Sequence, residues 1–132
     1  MIFVDTSFWV GLAIEPDANH ELAEELLSRY GQSPLATTNL VCGETWTFVR
    51  RRHGHRLAQA LIDAIERTPR LQILTITAEA ERDAWEWLRQ RDEREHSYVD
   101  ATSFAIMRRR AVHEVLTFDA DFAAAGFVQL LI

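Results

Sequence analysis

The sequence predicts an α/β fold in which short parallel strands alternate with helices. Three observations carry this. Apolar runs of only three to six residues recur along the chain, too short for helices. Longer segments between them carry apolar residues three and four apart, and turn or capping residues mark the joins. Ile2-Phe3-Val4 is the first run and ends in Asp5-Thr6-Ser7, as in a strand covered on both faces. A short helix to about Ala13 follows, closed by Glu15-Pro16-Asp17. Residues 18–30 carry Leu22, Ala23, Leu26, Leu27 and Tyr30 at helical spacing, and Gly31 stops them. Pro34 to Thr38 is a second strand, after which Asn39 is placed to cap a helix running to about His53. Gly54 opens another helix, with Leu57, Leu61, Ala64 and Ile65 on one face, and Pro69 ends that segment. Leu71 to Ile76 is a third strand, and Thr77 caps a helix bearing Ala80, Ala84, Trp87 and Leu88. Ser97 opens the next helix with Asp100 three residues on, the spacing of a capping box. Val115 to Phe118 is a fourth strand, Asp119 to Ala125 a helical turn ended by Gly126, and Phe127 to Ile132 an edge strand. No linker, repeat or low-complexity stretch divides the chain, so residues 1–132 are expected to form one domain.

Composition excludes several chemistries. All 14 basic residues are Arg and none is Lys, which closes Schiff-base, pyridoxal and P-loop mechanisms. The five Gly never cluster into a phosphate loop, and neither His-Glu-x-x-His nor Gly-x-Ser-x-Gly occurs. The lone Cys42 forbids an intramolecular disulfide or a multi-Cys metal cluster and suits a reducing compartment; it reads as a small core residue. The N-terminus lacks the basic region of a secretory signal, and no apolar run is long enough to span a bilayer, so the expected location is cytoplasmic. What remains in quantity is carboxylate, with a net charge of −6.

Four carboxylates stand at informative places. Asp5 ends the first strand and Asp119 follows the fourth. In a parallel sheet those C-terminal ends share one edge, where such folds bind ligands. Each could instead cap the helix or turn beside it. Glu44 interrupts an apolar stripe, with Leu40 and Val41 before it and Phe48 after it. A carboxylate there is costly unless paired or metal-bound, and Arg51 two turns on is the alternative partner. Asp100 could simply complete the box with Ser97, yet its helix is apolar enough to bring that first turn to the sheet edge. Four acids clustered and dry would repel, and divalent cations would neutralise them. Oxygen-only ligands favour Mg²⁺ or Mn²⁺ over Zn²⁺, and such centres commonly hydrolyse phosphodiesters.

The ordered set Val-Asp5-Thr-Ser, Glu44 in a helix, Tyr-Val-Asp100-Ala-Thr-Ser-Phe-Ala and Leu-Thr117-Phe-Asp119-Ala-Asp-Phe resembles the PIN-domain ribonucleases, in particular the VapC-type toxins of bacterial toxin–antitoxin pairs. The similarity runs nearly the whole length, to Gly126-Phe127. It implies a three-layer α/β/α fold with a short central parallel sheet. It implies an Mg²⁺- or Mn²⁺-dependent endoribonuclease that leaves a 5′-phosphate, forms a homodimer and is silenced by a small cognate antitoxin. By resemblance, Asp5, Glu44, Asp100 and Asp119 are the metal-binding and catalytic acids, with Asp121 a further ligand. Thr6, Ser7 and Thr117 match the accessory polar positions that orient ligands.

Two basic runs, Arg50-Arg51-Arg52-His53 and Arg108-Arg109-Arg110, each follow an acid-bearing helix and could contact RNA phosphates; the alternative is a solvated helix end complementing the dipole. Trp46, Trp85 and Trp87 with Phe48 are either a partner surface or ordinary core. His53 and His55 read as surface. The competing functions are an inactive PIN-fold interaction module, against which four intact acids count, and an α/β phosphotransferase. The latter would need Asp-x-Asp after the first strand, where Asp5-Thr6-Ser7 stands.

Overall fold

The computed structural model describes residues 1–132. Five parallel strands, β1 (Ile2–Val4), β2 (Leu35–Thr38), β3 (Leu71–Leu74), β4 (Glu114–Leu116) and β5 (Val128–Gln129), lie in the order β3-β2-β1-β4-β5. The helices α1 (Thr6–Ala13) and α2 (His20–Tyr30) join β1 to β2. The pair α3 (Asn39–His53) and α4 (His55–Glu66) joins β2 to β3. The pair α5 (Ala78–Gln90) and α6 (Tyr98–Arg109) carries the chain from β3 across to β4, and α7 (Asp121–Ala124) leads into β5. The chain moves outward from β1 on one side and then returns to its other side. Right-handed crossovers therefore put α1 to α4 on one face of the sheet and α5 and α6 on the other. This is the three-layer α/β/α arrangement expected.

That reversal also creates a switch point between β1 and β4, with a crevice beyond their C-terminal ends. β1 is buried along its whole apolar length, and β4 is buried at Val115 and Leu116 while Glu114 at its start is exposed. Under the crevice lies an aromatic core. Phe104 sits 5.0 Å from Phe122 and 5.6 Å from Phe127, and Phe8 stacks on Phe118 at 5.8 Å. Gly126 ends α7 with φ at +101°, a left-handed conformation that costs glycine nothing.

The strands are shorter than their apolar runs. Thr117 leaves the β4 ladder and gives its hydroxyl to Asp5, and Ile76 N–H donates to Asn39 Oδ1 at 3.0 Å instead of extending β3. That bond also corrects the start of α3. Thr38, not Asn39, is the cap, its hydroxyl accepting from Val41 N–H at 3.0 Å, while Asn39 is the first helical residue and ties α3 to the end of β3.

Candidate active site

The local chemistry of the crevice begins where β1 stops. Asp5 has extended backbone and caps α1, its Oδ2 accepting from Ser7 N–H at 3.4 Å and from Ser7 Oγ at 3.0 Å. From the neighbouring strand end, Thr117 Oγ donates to the same Oδ2 at 3.0 Å and accepts Asp119 N–H at 3.0 Å. Ser7 Oγ in turn accepts Phe118 N–H at 2.9 Å. Two hydroxyls thus lock the ends of β1 and β4 together around one carboxylate oxygen, and no hydrogen bond ends on Asp5 Oδ1.

The other three acids arrive from separate elements. Glu44 on α3 accepts Thr6 Oγ at 2.6 Å through Oε1. Asp100 on α6 forms the full capping box with Ser97, accepting Ser97 N–H at 3.1 Å while its own N–H donates to Ser97 Oγ. Asp119 accepts Asp121 N–H at 2.9 Å. Asp5, Glu44, Asp100 and Asp119 line one cavity of about 260 Å³ together with Thr6 and Ser7. No Arg lies within ion-pairing distance of any of the four. Arg51 in particular does not pair with Glu44, whose observed partner is the Thr6 hydroxyl.

Burial dominates the electrostatics of the cavity. Asp5 is only 3% exposed, and that burial raises its carboxyl to about 6, helped by the charge of Asp100. Asp100 is likewise raised to about 6, first by desolvation and then by Asp119 and Glu44, against the lowering effect of its bond from Ser97 N–H. Buried like charges with all-oxygen donors fit a hard divalent cation, which would restore both acids to their ionised form. The residues present fit Mg²⁺ or Mn²⁺ on that count.

The remaining expected site residues divide. Thr6 orients Glu44, whereas Ser7 and Thr117 orient Asp5. Asp121 does not line the acid cavity; it turns beside Asp100 toward Arg94, whose Nε donates to its Oδ1 at 2.6 Å. Arg51 and Arg52 line a second groove of about 630 Å³ that shares Glu44 and Phe48 with the acid cavity, and the Arg52 guanidinium stands 4.2 Å from the Phe48 ring centre. Arg50 is exposed on the same last turn and outside that groove. In the second basic run Arg110 is exposed, and the other two make local contacts. Arg108 lies 4.4 Å from the Trp87 ring centre and donates to Ala125 C=O at 2.8 Å, while Arg109 holds Asp83 at 2.5 Å. The tryptophans do not form one patch. Trp87 packs against Phe104, Trp85 stacks on Tyr98 at 4.7 Å, and Trp46 meets His55. His53 and His55 are exposed as expected, and Cys42 is half-buried with its thiol pushed up by desolvation.

Sequence reasoning did not single out Asp17 and Asn19, which also line the acid cavity. In the sequence Asp17-Ala18-Asn19 offers only turn-forming residue types, and in the structure Asn19 N–H donates to Asp17 Oδ1 at 2.8 Å. Nor did sequence reasoning single out His96, which lies beside Asp100 and Asp121.

Fold and site together define an α/β domain with four carboxylates clustered at the switch point of its sheet. The chain belongs to the PIN domain family, whose model matches residues 2–128. It is 49% identical over 131 residues, 98% of each chain, to the 23S rRNA-specific endonuclease VapC20 of Mycobacterium tuberculosis strain H37Rv. It superposes with a TM-score of 0.93 at 47% identity, over 100% of both chains, on the crystal structure of Mycobacterium tuberculosis VapC20, described as a sarcin-ricin loop cleaving toxin. The fold is shared with FitAcB from Neisseria gonorrhoeae, at a TM-score of 0.72 and 17% identity over 98% of this chain and 96% of that one. No helix is long and apolar enough to cross a membrane.

Proposed function

We propose that the chain is a divalent-metal-dependent endoribonuclease that cuts 23S rRNA in the sarcin-ricin loop, and that it is the toxin of a toxin–antitoxin pair, homodimeric and held inactive by a small cognate antitoxin. One observation supports the activity above all others: four carboxylates from four separate elements meet in one cavity without a single paired cation. The 49% identity to a 23S rRNA-specific endonuclease supports the substrate.

In this reading Asp5 and Asp100 would hold Mg²⁺ or Mn²⁺, and Asp119 and Glu44 would complete the ligand set. Such an ion supplies an acidified water and neutralises charge on the scissile phosphate. The chain's own part is positional. Ser7 and Thr117 fix Asp5 through Oδ2 and leave Oδ1 for the cavity. Thr6 fixes Glu44 through Oε1 and leaves Oε2 for the cavity. Arg51 and Arg52, in the groove that shares Glu44 with the acid cavity, take the phosphates flanking the cut.

The test is cleavage of purified ribosomal RNA with Mg²⁺ or Mn²⁺ supplied and with EDTA. Wild type is expected to give one discrete 23S fragment pair only with metal, and Asp5→Asn none. Cleavage undiminished by Asp5→Asn rejects the assignment. Absence of cleavage and of metal binding in wild type favours the inactive interaction module.

A further inference from the structure

Beside the acid cavity, on the far side of Asp100, stands a histidine that the proposed reaction does not use. His96 lies in the segment between α5 and α6 with only 4% of its side chain exposed. Its ring is walled by Phe104 at 5.5 Å and Trp87 at 5.8 Å. Those apolar walls leave its Nδ1 buried without a hydrogen-bond partner. A buried ring nitrogen with nothing to bond is costly. What it faces is Asp121, whose Oδ2 lies 3.8 Å away, too far for a hydrogen bond. Ligand atoms of His96, Asp100 and Asp121 all lie within 4.8 Å of one another. Ligands about 2.1 Å from a common centre are separated by about 3 to 4 Å, so only a small contraction is needed to close on one ion.

We infer that His96, Asp100 and Asp121 form a second cation site, built from one imidazole nitrogen and two carboxylates, for a first-row transition-metal ion such as Zn²⁺ or Mn²⁺. It shares Asp100 with the proposed catalytic centre and does not depend on the chain cutting RNA. The donor set decides the ion. Imidazole suits Zn²⁺ and its neighbours, whereas Mg²⁺ prefers carboxylate and water. Three protein ligands leave the fourth position of a tetrahedral ion to water. Each carboxylate has an oxygen to give. Asp100 uses Oδ2 for Ser97 N–H, and Asp121 uses Oδ1 for Arg94.

Net charge agrees. Asp5, Glu44, Asp100, Asp119 and Asp121 set five carboxylates around this end of the sheet, and the one guanidinium paired with any of them is Arg94. Fully ionised, five negative charges against one positive leave about −4, which one divalent ion halves and two cancel. The Arg94 guanidinium on Asp121 is the cation that competes with the second ion. It engages the opposite oxygen from the one that faces His96.

The experiment uses the full chain stripped of metal. Calorimetric titration with MnCl₂, which suits both donor sets, is expected to give two ions per chain for wild type and one for His96→Gln or Asp121→Asn. In nitrogen-edited spectra of the imidazoles, the His96 signal should move with Zn²⁺ and stay in place with Mg²⁺. A His96 signal unmoved by Zn²⁺, or two ions retained by His96→Gln, overturns the inference. Should His96→Gln fail to fold, Asp121→Asn and the wild-type spectra decide. Asp5→Asn separates the two sites. It removes the first ion and leaves the His96 response, so a failure of the catalytic reading and a failure of this one give different results.

Discussion

The sharpest expectation concerns Asp5 in the absence of metal. Its carboxyl is raised from an ordinary 3.8 to about 6 because it is buried facing other acids. Burial thus disfavours the ionised form, and a shift of roughly 2 units corresponds to about 3 kcal/mol between the two protonation states. The sign follows from proton binding. Between about pH 4 and 6 the folded chain holds this proton and the unfolded chain does not, so stability falls as pH rises through that window and levels off above it. Asn cannot ionise, and its side-chain oxygen can still accept from Ser7 and Thr117. Asp5→Asn should therefore be more stable than wild type at pH 8 in EDTA, by about 1 to 3 kcal/mol, because the charge penalty disappears. For a chain of this size that is a rise in Tm of roughly 4 to 10 °C. The assay is thermal or urea unfolding of both proteins at pH 4.5 and pH 8, in EDTA and in Mn²⁺. The gap should shrink toward zero at pH 4.5, and Mn²⁺ should raise wild type much more than the variant. A variant no more stable than wild type at pH 8 in EDTA would refute the electrostatic account of the cavity. So would a gap of equal size at both pH values.

Other outcomes follow from single contacts. Thr6→Val removes the 2.6 Å bond to Glu44 and should lower cleavage about 10- to 100-fold, with stability changed by less than about 1.5 kcal/mol. Thr117→Val deletes both the donor to Asp5 and the acceptor for Asp119 N–H in a fully buried place. It should cost about 1 to 3 kcal/mol by urea unfolding and weaken Mn²⁺ binding in calorimetry. Arg51→Ala and Arg52→Ala should each weaken RNA binding and flatten its salt dependence by about one unit of slope, with Tm nearly unchanged. Arg108→Ala should do the opposite, lowering Tm through lost packing on Trp87 and Phe127 while RNA affinity holds. Ala111 closes α6 at φ +54°, a position that favours glycine, so Ala111→Gly should stabilise the fold by up to about 1 kcal/mol.

Most of the fold could be read from the chain because strand and helix differ in period, and the joins carry their own chemistry. Ser97 with Asp100 and Thr77 with Ala80 N–H cap as their spacing requires. The errors fall where a side chain serves a distant partner. Asn39 has the residue type of a cap, but its oxygen bonds Ile76, 37 positions on, and leaves the cap to Thr38. The two arginine runs look alike as sequence. What separates them is that α6 ends against Trp87, Phe127 and Asp83, whereas Arg51 and Arg52 at the end of α3 line the groove that shares Glu44 with the acid cavity. His96 offered no pattern at all, since the aromatic walls and the acid that define its surroundings come from α5, α6 and α7.

Asp100 shows why local and functional readings of one residue need not compete. As a lone cap its carboxylate would be stabilised, with a lowered pKa from the backbone N–H of Ser97 and the positive end of α6. It does receive that N–H, yet its carboxyl is raised to about 6, because burial and the charges of Asp119 and Glu44 outweigh the cap. The capping box fixes where the side chain stands, and the crevice sets what it costs to be charged there. A residue needed only to start a helix would not be placed against two more carboxylates, where each ionisation opposes the next. Swapping the cap therefore separates the two roles. Asp100→Asn keeps an oxygen for Ser97 N–H and should retain the helix by circular dichroism while Mn²⁺ no longer raises Tm as it does in wild type. An undiminished Mn²⁺ effect in that variant would return Asp100 to a capping role alone.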